Sequence, residues 1–294
     1  MTGTPVVLVA GAKDRVARRL AAAIERRGRD ALLLDGHAAS RLFTIRVSGR
    51  CHEVIPELSL FIRQGAWWSD QPRIEPDERF AASESYAALW SVAALSSQPV
   101  INRPHAEGWI PAMTAARIQS LLPPGSDQGL AEVFASSPRF AAREPVLAGQ
   151  AAPADERLAR DPPQAREQPP ASRQPTDGPV LWGESVEGLT GPAASLPEGV
   201  PLRARLVDPQ AAYEIVTVVG DRAFSATEDP RTREFGLLDR SVQLAQRARV
   251  HFATVTWSVG TDVAPVRLNP NAGLRELRYS WAETEDALCA DLTA

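Results

Sequence analysis

Residues 5–35 read PVVLVAGAKDRVARRLAAAIERRGRDALLLD, and this stretch decides the fold class. Val6 to Ala10 is a short continuous apolar run, the pattern of a strand buried on both faces. After GAKD, residues Val16, Leu20, Ala23 and Ile24 recur at helical spacing with arginines opposite them. Gly28 then stands where a helix commonly ends. Ala31 to Leu34 is a second apolar run, closing on Asp35. Strand, helix and strand in this order predict a parallel sheet in an α/β domain. GAKDRVA lacks the further glycines of a phosphate loop.

Outward from this unit, Leu58 to Arg63 (LSLFIR) predicts a third strand and Glu78 to Leu95 a helix. The helix is expected to bury Phe80, Tyr86, Leu89, Trp90 and Ala93 as one stripe. Pro99 to Asn102 predicts a further strand. Trp67 and Trp68 fall in a polar loop, as a ligand platform or as rim packing. From Ala148 to Pro179 seven prolines occur in 32 residues with few large apolar side chains. Such a segment cannot offset its ordering entropy by burial, so a disordered or loosely held linker is predicted. Beyond it the pattern turns β-rich: Pro179 to Trp182, Leu202 to Val207, Tyr213 to Val219, and Ala223 to Thr227 after the turn Gly220-Asp221-Arg222. Leu237 to Arg249 is amphipathic and helical, and Phe252 to Val259 with Pro265 to Leu268 reads as a hairpin. No internal repeat is present.

The 294 residues allow two domains, and the net charge of −4 with a pI near 5.7 gives no footprint for nucleic acid or an anionic membrane. Lys13 is the sole lysine. Any Schiff base or phosphate-gripping lysine would therefore have to be that one residue. Cys51 and Cys289 form no metal-ligand spacing, which suits a reduced cytoplasmic protein. The N-terminus has no signal-peptide pattern, and no run reaches the roughly 18 to 20 apolar residues of a membrane span. His37, His52, His105 and His251 are scattered without HExxH, and WGESVEG is no nucleophile elbow.

The order of SLFIRQG (59–65), FAASESYAALWSVAAL, QPVINRP (98–104), YEIVTVVGDRAFSAT (213–227) and HFATVTW…PVRLNPNAGL resembles the ATP-grasp superfamily. It is most similar to its RimK-like and glutathione-synthetase-like members, including the peptide-modifying branch. The resemblance implies an α/β chain with an α+β C-terminal part. Residues 1–104 would form a parallel N-terminal domain, 105–147 a connecting helix and the start of the ATP-grasp-like domain, 148–179 the Pro-rich insert, and 180–294 the remainder. It also implies ligation of a carboxylate to an amine with ATP and two magnesium ions. At the positions aligned with that machinery, however, Glu144 stands for the phosphate lysine, Ala204 and Arg205 for the adenine hinge, and Ile215 for an arginine. Thr256 and Arg267 stand for the two metal carboxylates, and Asn269 is retained.

These departures share one direction. Unit charges about 4 Å apart interact by about 4 kcal/mol at an effective dielectric of about 20, so replacing a carboxylate by a guanidinium turns attraction into repulsion of like size. The expectation is a catalytically degenerate member with no catalytic residues, no metal and no cofactor, binding a protein or peptide partner. The alternative is an active ligase using ATP and Mg2+, with Arg143 or Arg117 on the phosphates and Glu187 or Glu276 on the metal. Arg267 either receives phosphate or carboxylate in place of the metal or pairs with Glu276. Arg63, Asn102 and Arg103 end strands of the parallel sheet, where ligands collect. They bind a small carboxylate or phosphate, or they tie domains together by hydrogen bonds. With Arg267, Asn269 and Asn271 they complete the set of ligand candidates, and an oligomer is open.

Overall fold

The computed structural model describes residues 4–63, 75–105, 109, 112–114, 117–118, 120–122, 132–135, 180–185, 190–192, 202–207, 212–225, 230–260 and 263–294. In chain order the elements are β1 (Val6–Val9), α1 (Arg15–Arg26), β2 (Ala31–Leu34), α2 (Gly36–Leu42), β3 (Thr44–Ser48), β4 (Cys51–Ile55), β5 (Ser59–Ile62), α3 (Pro76–Leu95), β6 (Val100–Ile101), β7 (Met113–Thr114) and β8 (Glu132–Ala135). Then follow β9 (Val180–Ser185), β10 (Thr190–Pro192), β11 (Leu202–Val207), β12 (Ala212–Val219), β13 (Arg222–Ser225), α4 (Pro230–Glu234), α5 (Leu237–Arg247), β14 (Phe252–Val259), β15 (Val263–Asn269) and α6 (Trp281–Thr293). The mixed α/β class expected from the strand–helix–strand opening is what is found.

Two compact units emerge: residues 1–126, 213–259 and 263–294 form one, and 127–212 with 260–262 the other. The larger unit holds a parallel sheet in the order β2-β1-β5-β6 and an antiparallel sheet in the order β13-β12-β14-β15-β7. The smaller unit holds an antiparallel sheet, β10-β9-β11-β8.

Strand β1 shows why its sequence is continuously apolar. Val6 and Leu8 bury into a core with Val16, Leu20 and Ile24 of α1, while Val7 and Val9 face Leu89, Val92 and Ala93 of α3. All four are fully buried, so neither face can be polar. Helix α1 begins at Asp14, whose Oδ1 accepts the N–H groups of Val16 (2.9 Å) and Ala17 (3.0 Å). It ends before Gly28 at φ +75°, a left-handed position that glycine adopts without Cβ strain. The same first core continues into the antiparallel sheet and α6 through Phe252, Leu277, Leu288 and Leu292.

One expectation changes, and several elements are added to those predicted. Phe80 does not join the stripe of α3; it is 68% exposed, and Ser85 and Val92 take buried positions beside Leu89 and Ala93. The β3–β4 hairpin and α2 occupy a stretch without strand or helix signals of its own, and α6 follows the hairpin unannounced. Trp67, Trp68, Arg143, Glu144, Glu187 and the Pro-rich segment 148–179 lie outside the described residues.

Candidate functional site

Strands β14 and β15 pair antiparallel, with Thr254 opposite Asn269 and Thr256 opposite Arg267, and the register shifts between Thr256 and Trp257. Alternation along β14 sends Ala253, Val255, Trp257 and Val259 into the core with Leu237, Leu244 and Ala245 of α5. Trp257 is held there by its Nε1–H donating to Ser241 Oγ at 2.8 Å. Thr254, Thr256, Arg267 and Asn269 consequently share the opposite face. Pro270 and Asn271 turn the chain back, which brings the Glu276 carboxylate onto this face. Asn269 Nδ2 donates to both its oxygens, at 3.1 and 3.0 Å, and the Gly273 N–H donates to Oε2 at 2.9 Å. Thr254 Oγ1 lies 3.5 Å from Oε1. Arg267 reaches Oε1 only at 4.0 Å, with its side chain 55% exposed. The Asn271 N–H donates to Asn269 Oδ1 at 3.1 Å.

The candidates at the strand ends of the parallel sheet separate by role. Arg103 Nη1 donates to the carbonyls of Ala93, Ala94 and Ser96, at 2.8, 3.1 and 2.9 Å, and Nη2 to that of Gln98 at 3.1 Å. It caps the C-terminus of α3, where a cation complements the helix dipole, and burial pulls its guanidinium below its ordinary pKa. Asn102 Nδ2 donates to the carbonyls of Phe252 (2.8 Å) and Pro270 (3.3 Å), and Oδ1 accepts the N–H groups of His251 (3.0 Å) and Phe252 (2.7 Å). Both residues are spent on main chain. Arg63 is 5% exposed; its Nε donates to Asp14 Oδ2 at 2.7 Å and its Nη2 to the carbonyls of Ala272 (2.9 Å) and Asn271 (3.4 Å). Its Nη1 has no partner among the described residues. Sequence reasoning missed Asp14 as the partner of Arg63. The pairing of β1 with β5 sets Arg63 near Ala10, and the turn into α1 then brings Asp14 to it, a neighbourhood that only the tertiary fold creates.

Nothing in the sequence alone suggested a second cluster. His251 Nε2 contacts Asp291 Oδ2 at 2.7 Å, and Arg222 pairs with the other oxygen of Asp291. These bonds fasten the β12–β13 turn and the start of β14 to α6.

No family model matches the sequence, and no curated protein does. Solved structures do. The ATP-grasp ligase PsnB, complexed with precursor peptide PsnA2 and AMPPNP, superposes with a TM-score of 0.63 at 14% identity, over 99% of this chain and 98% of its own. The macrocyclase MdnC from Microcystis aeruginosa MRC, bound with precursor peptide MdnA, gives 0.58 at 14% identity, over 98% and 99%. A RimK domain ATP-grasp protein from Sphaerobacter thermophilus DSM 20745 gives 0.51 at 14% identity, over 99% and 100%. The chain has the ATP-grasp fold. The fold fits the order of segments from which the resemblance was drawn.

An ATP-grasp fold implies ATP and magnesium, and the hairpin face tests whether this chain's residues suit them. Magnesium takes hard oxygen ligands in near-octahedral geometry. Asn269 turns its N–H groups, not its carbonyl oxygen, toward Glu276. Flipping the amide would set its oxygen against the carboxylate and its donors against the Asn271 N–H, so the network admits one orientation. Glu276 is the sole carboxylate in this network, its oxygens already accept three hydrogen bonds, and a guanidinium stands beside it. No group of three or more His, Cys, Asp or Glu among the described residues is placed to hold a metal. Among the described residues, the donors on this face do not fit the ion.

Proposed function

We propose that this ATP-grasp-fold protein is catalytically degenerate and acts as a binding or scaffold partner for a peptide, alone or beside an active ligase. The observation that carries the reading is the closed Asn269–Glu276 network with Arg267 beside it. Polar capacity that a ligase would turn toward metal and phosphate is consumed within the chain. The peptide partner is supported by PsnB and MdnC, each of which was solved with a precursor peptide. A cytoplasmic setting is part of the proposal, in keeping with the free cysteines Cys51 and Cys289. No helix among the described residues is long and apolar enough to cross a membrane.

Two measurements on the full chain test this reading. Calorimetry with ATP and Mg2+ is expected to give no heat of binding from folded protein, and phosphate release is expected to stay at background with any peptide supplied. ATP-dependent phosphate release abolished by Asn269→Ala would establish the active-ligase alternative instead.

A further inference from the structure

The segment that joins the closing hairpin to α6 packs against α1, with Leu277 and Trp281 in one core with Val16 and Leu20. The two helices run alongside each other. Arg19 lies 5.1 Å from the centre of the Trp281 ring, and two turns further on Arg26 meets Glu285 at 2.7 Å. One turn back from the Arg19 contact, α1 carries Arg15 and the joining segment carries Arg278. That segment is itself wound as a helical turn, since the N–H groups of Glu276 and Leu277 both donate to the Gly273 carbonyl. Arg275, three residues before Arg278, therefore stands on the same side of it. Arg267 joins them through Glu276, at 4.0 Å.

The arginines of this face are not offset by acids. Arg15, Arg275 and Arg278 are exposed and have no ion pair among the described residues. Both oxygens of Asp14 are taken, by the N–H groups of Val16 and Ala17 and by Arg63. Glu276 is held by Asn269 and the Gly273 N–H. Glu283 stands about half a turn round α6 from Trp281, away from α1. Like charges gathered in this way repel, so folding gains nothing from the arrangement. Two of the guanidiniums are also restrained by aromatic rings, Arg19 by Trp281 and Arg278 by Tyr279 at 4.9 Å, and Tyr279 is 64% exposed. The N–H donors directed away from each ring stay free for a carboxylate, which a guanidinium grips through two parallel bonds.

We infer that this face docks an acidic peptide segment, whose Asp and Glu carboxylates pair with Arg15, Arg19, Arg267, Arg275 and Arg278. The inference rests on the proposed function for the existence of a peptide partner and supplies its chemistry. A compact group of cations on a chain of net charge −4 suits a short acidic segment. A long polyanion such as nucleic acid would run off the patch onto a surface of its own sign.

The test is the fluorescence anisotropy of a labelled peptide alternating Glu and Ser, titrated with the full chain in the absence of nucleotide. Saturable binding is expected, lost when Gln replaces Glu in the peptide. It should fade as salt rises towards about 1 M, where the Debye length is about 3 Å. Arg275→Glu with Arg278→Glu, in a chain whose amide dispersion matches the parent, is expected to weaken binding about tenfold or more. Each exposed pair is worth up to about fivefold, and reversal adds repulsion. Arg50→Glu with Arg79→Glu changes the net charge equally on exposed residues elsewhere, Arg79 being on α3 across the parallel sheet from α1. That pair should leave the affinity within about twofold, because distant charges are screened. No saturable binding of the Glu peptide, equal weakening by the two pairs of reversals, or tighter binding of a single-stranded oligonucleotide of the same charge overturns the inference. Phosphate release from ATP overturns the catalytic degeneracy instead and leaves the peptide titration unchanged.

Discussion

Asn102 makes four hydrogen bonds from one short side chain, joining the end of β6 to the start of β14 and to the turn after β15. Its φ of 55° is left-handed, a region asparagine enters more readily than most residues. Asn102→Ala would strand the N–H groups of His251 and Phe252 and the Phe252 carbonyl in the interior. Each buried unsatisfied group costs about 1–3 kcal/mol, so urea unfolding is expected to show a loss of about 3 kcal/mol or more. Asn102→Gly loses the same bonds but relaxes the backbone, and should be milder than Ala by about 1 kcal/mol. A loss under about 1 kcal/mol for Ala would show that the bonds carry little. The residue type announced itself in QPVINRP, but its partners did not. They lie about 150 positions away in sequence, and only the tertiary fold brings them near.

At the scale of elements, the proposed loss of metal binding rests on the hairpin and should be reversible there. Thr256 and Arg267 face each other across β14 and β15, with Asn269 on the same side. Thr256→Asp combined with Arg267→Glu would place two carboxylates there and remove the guanidinium beside Glu276. Thermal unfolding of this double variant is expected to rise with millimolar Mg2+ or Mn2+, while the parent chain stays indifferent to both. Stabilisation of the parent by either ion would contradict the proposed degeneracy of the site.

Helix α3 allows a sharper check on sequence reading. Phe80 lies near its start, 68% exposed, so Phe80→Ser should change stability by no more than about 0.5 kcal/mol, whereas Leu89→Ala should cost about 2–5 kcal/mol. Elements whose residues bury on a strict period were legible: β1, α1, α5 and the closing hairpin. Helix α6 was not, because its buried positions include Thr284, Ala287 and Cys289, with Glu283, Glu285 and Asp286 set between them. Strands β3 and β4 expose most of their side chains, which removes the alternation that would have betrayed them.

Across the whole molecule, the core underlying the parallel sheet does not stop with the first third of the chain. Val6, Leu8, Phe61 and Ile101 belong to one cluster with Val219, Phe252, Ala272, Leu277, Trp281, Leu288 and Leu292. Arg63 and Asn102 add hydrogen bonds to carbonyls of Phe252, Pro270 and Ala272. Helices α1 and α6 are tied by Arg26 to Glu285 and Arg27 to Asp286, with Arg19 stacked 5.1 Å from the Trp281 ring. Exposed pairs of this kind contribute at most about 1 kcal/mol each, so apolar burial must carry the junction. A fragment of residues 1–104 would expose Phe61 and Ile101 on a sheet face that the later segments cover. At roughly 1.5–3 kcal/mol for each large side chain left in water, the loss is comparable to the whole stability of a domain this size. The fragment is therefore expected to show the collapsed amide dispersion of an unfolded chain. Mixing it with residues 213–294 should restore dispersed resonances if the two segments complement each other. A fragment of 1–104 that unfolds cooperatively on its own would show that the parallel sheet needs no help from the hairpin or α6.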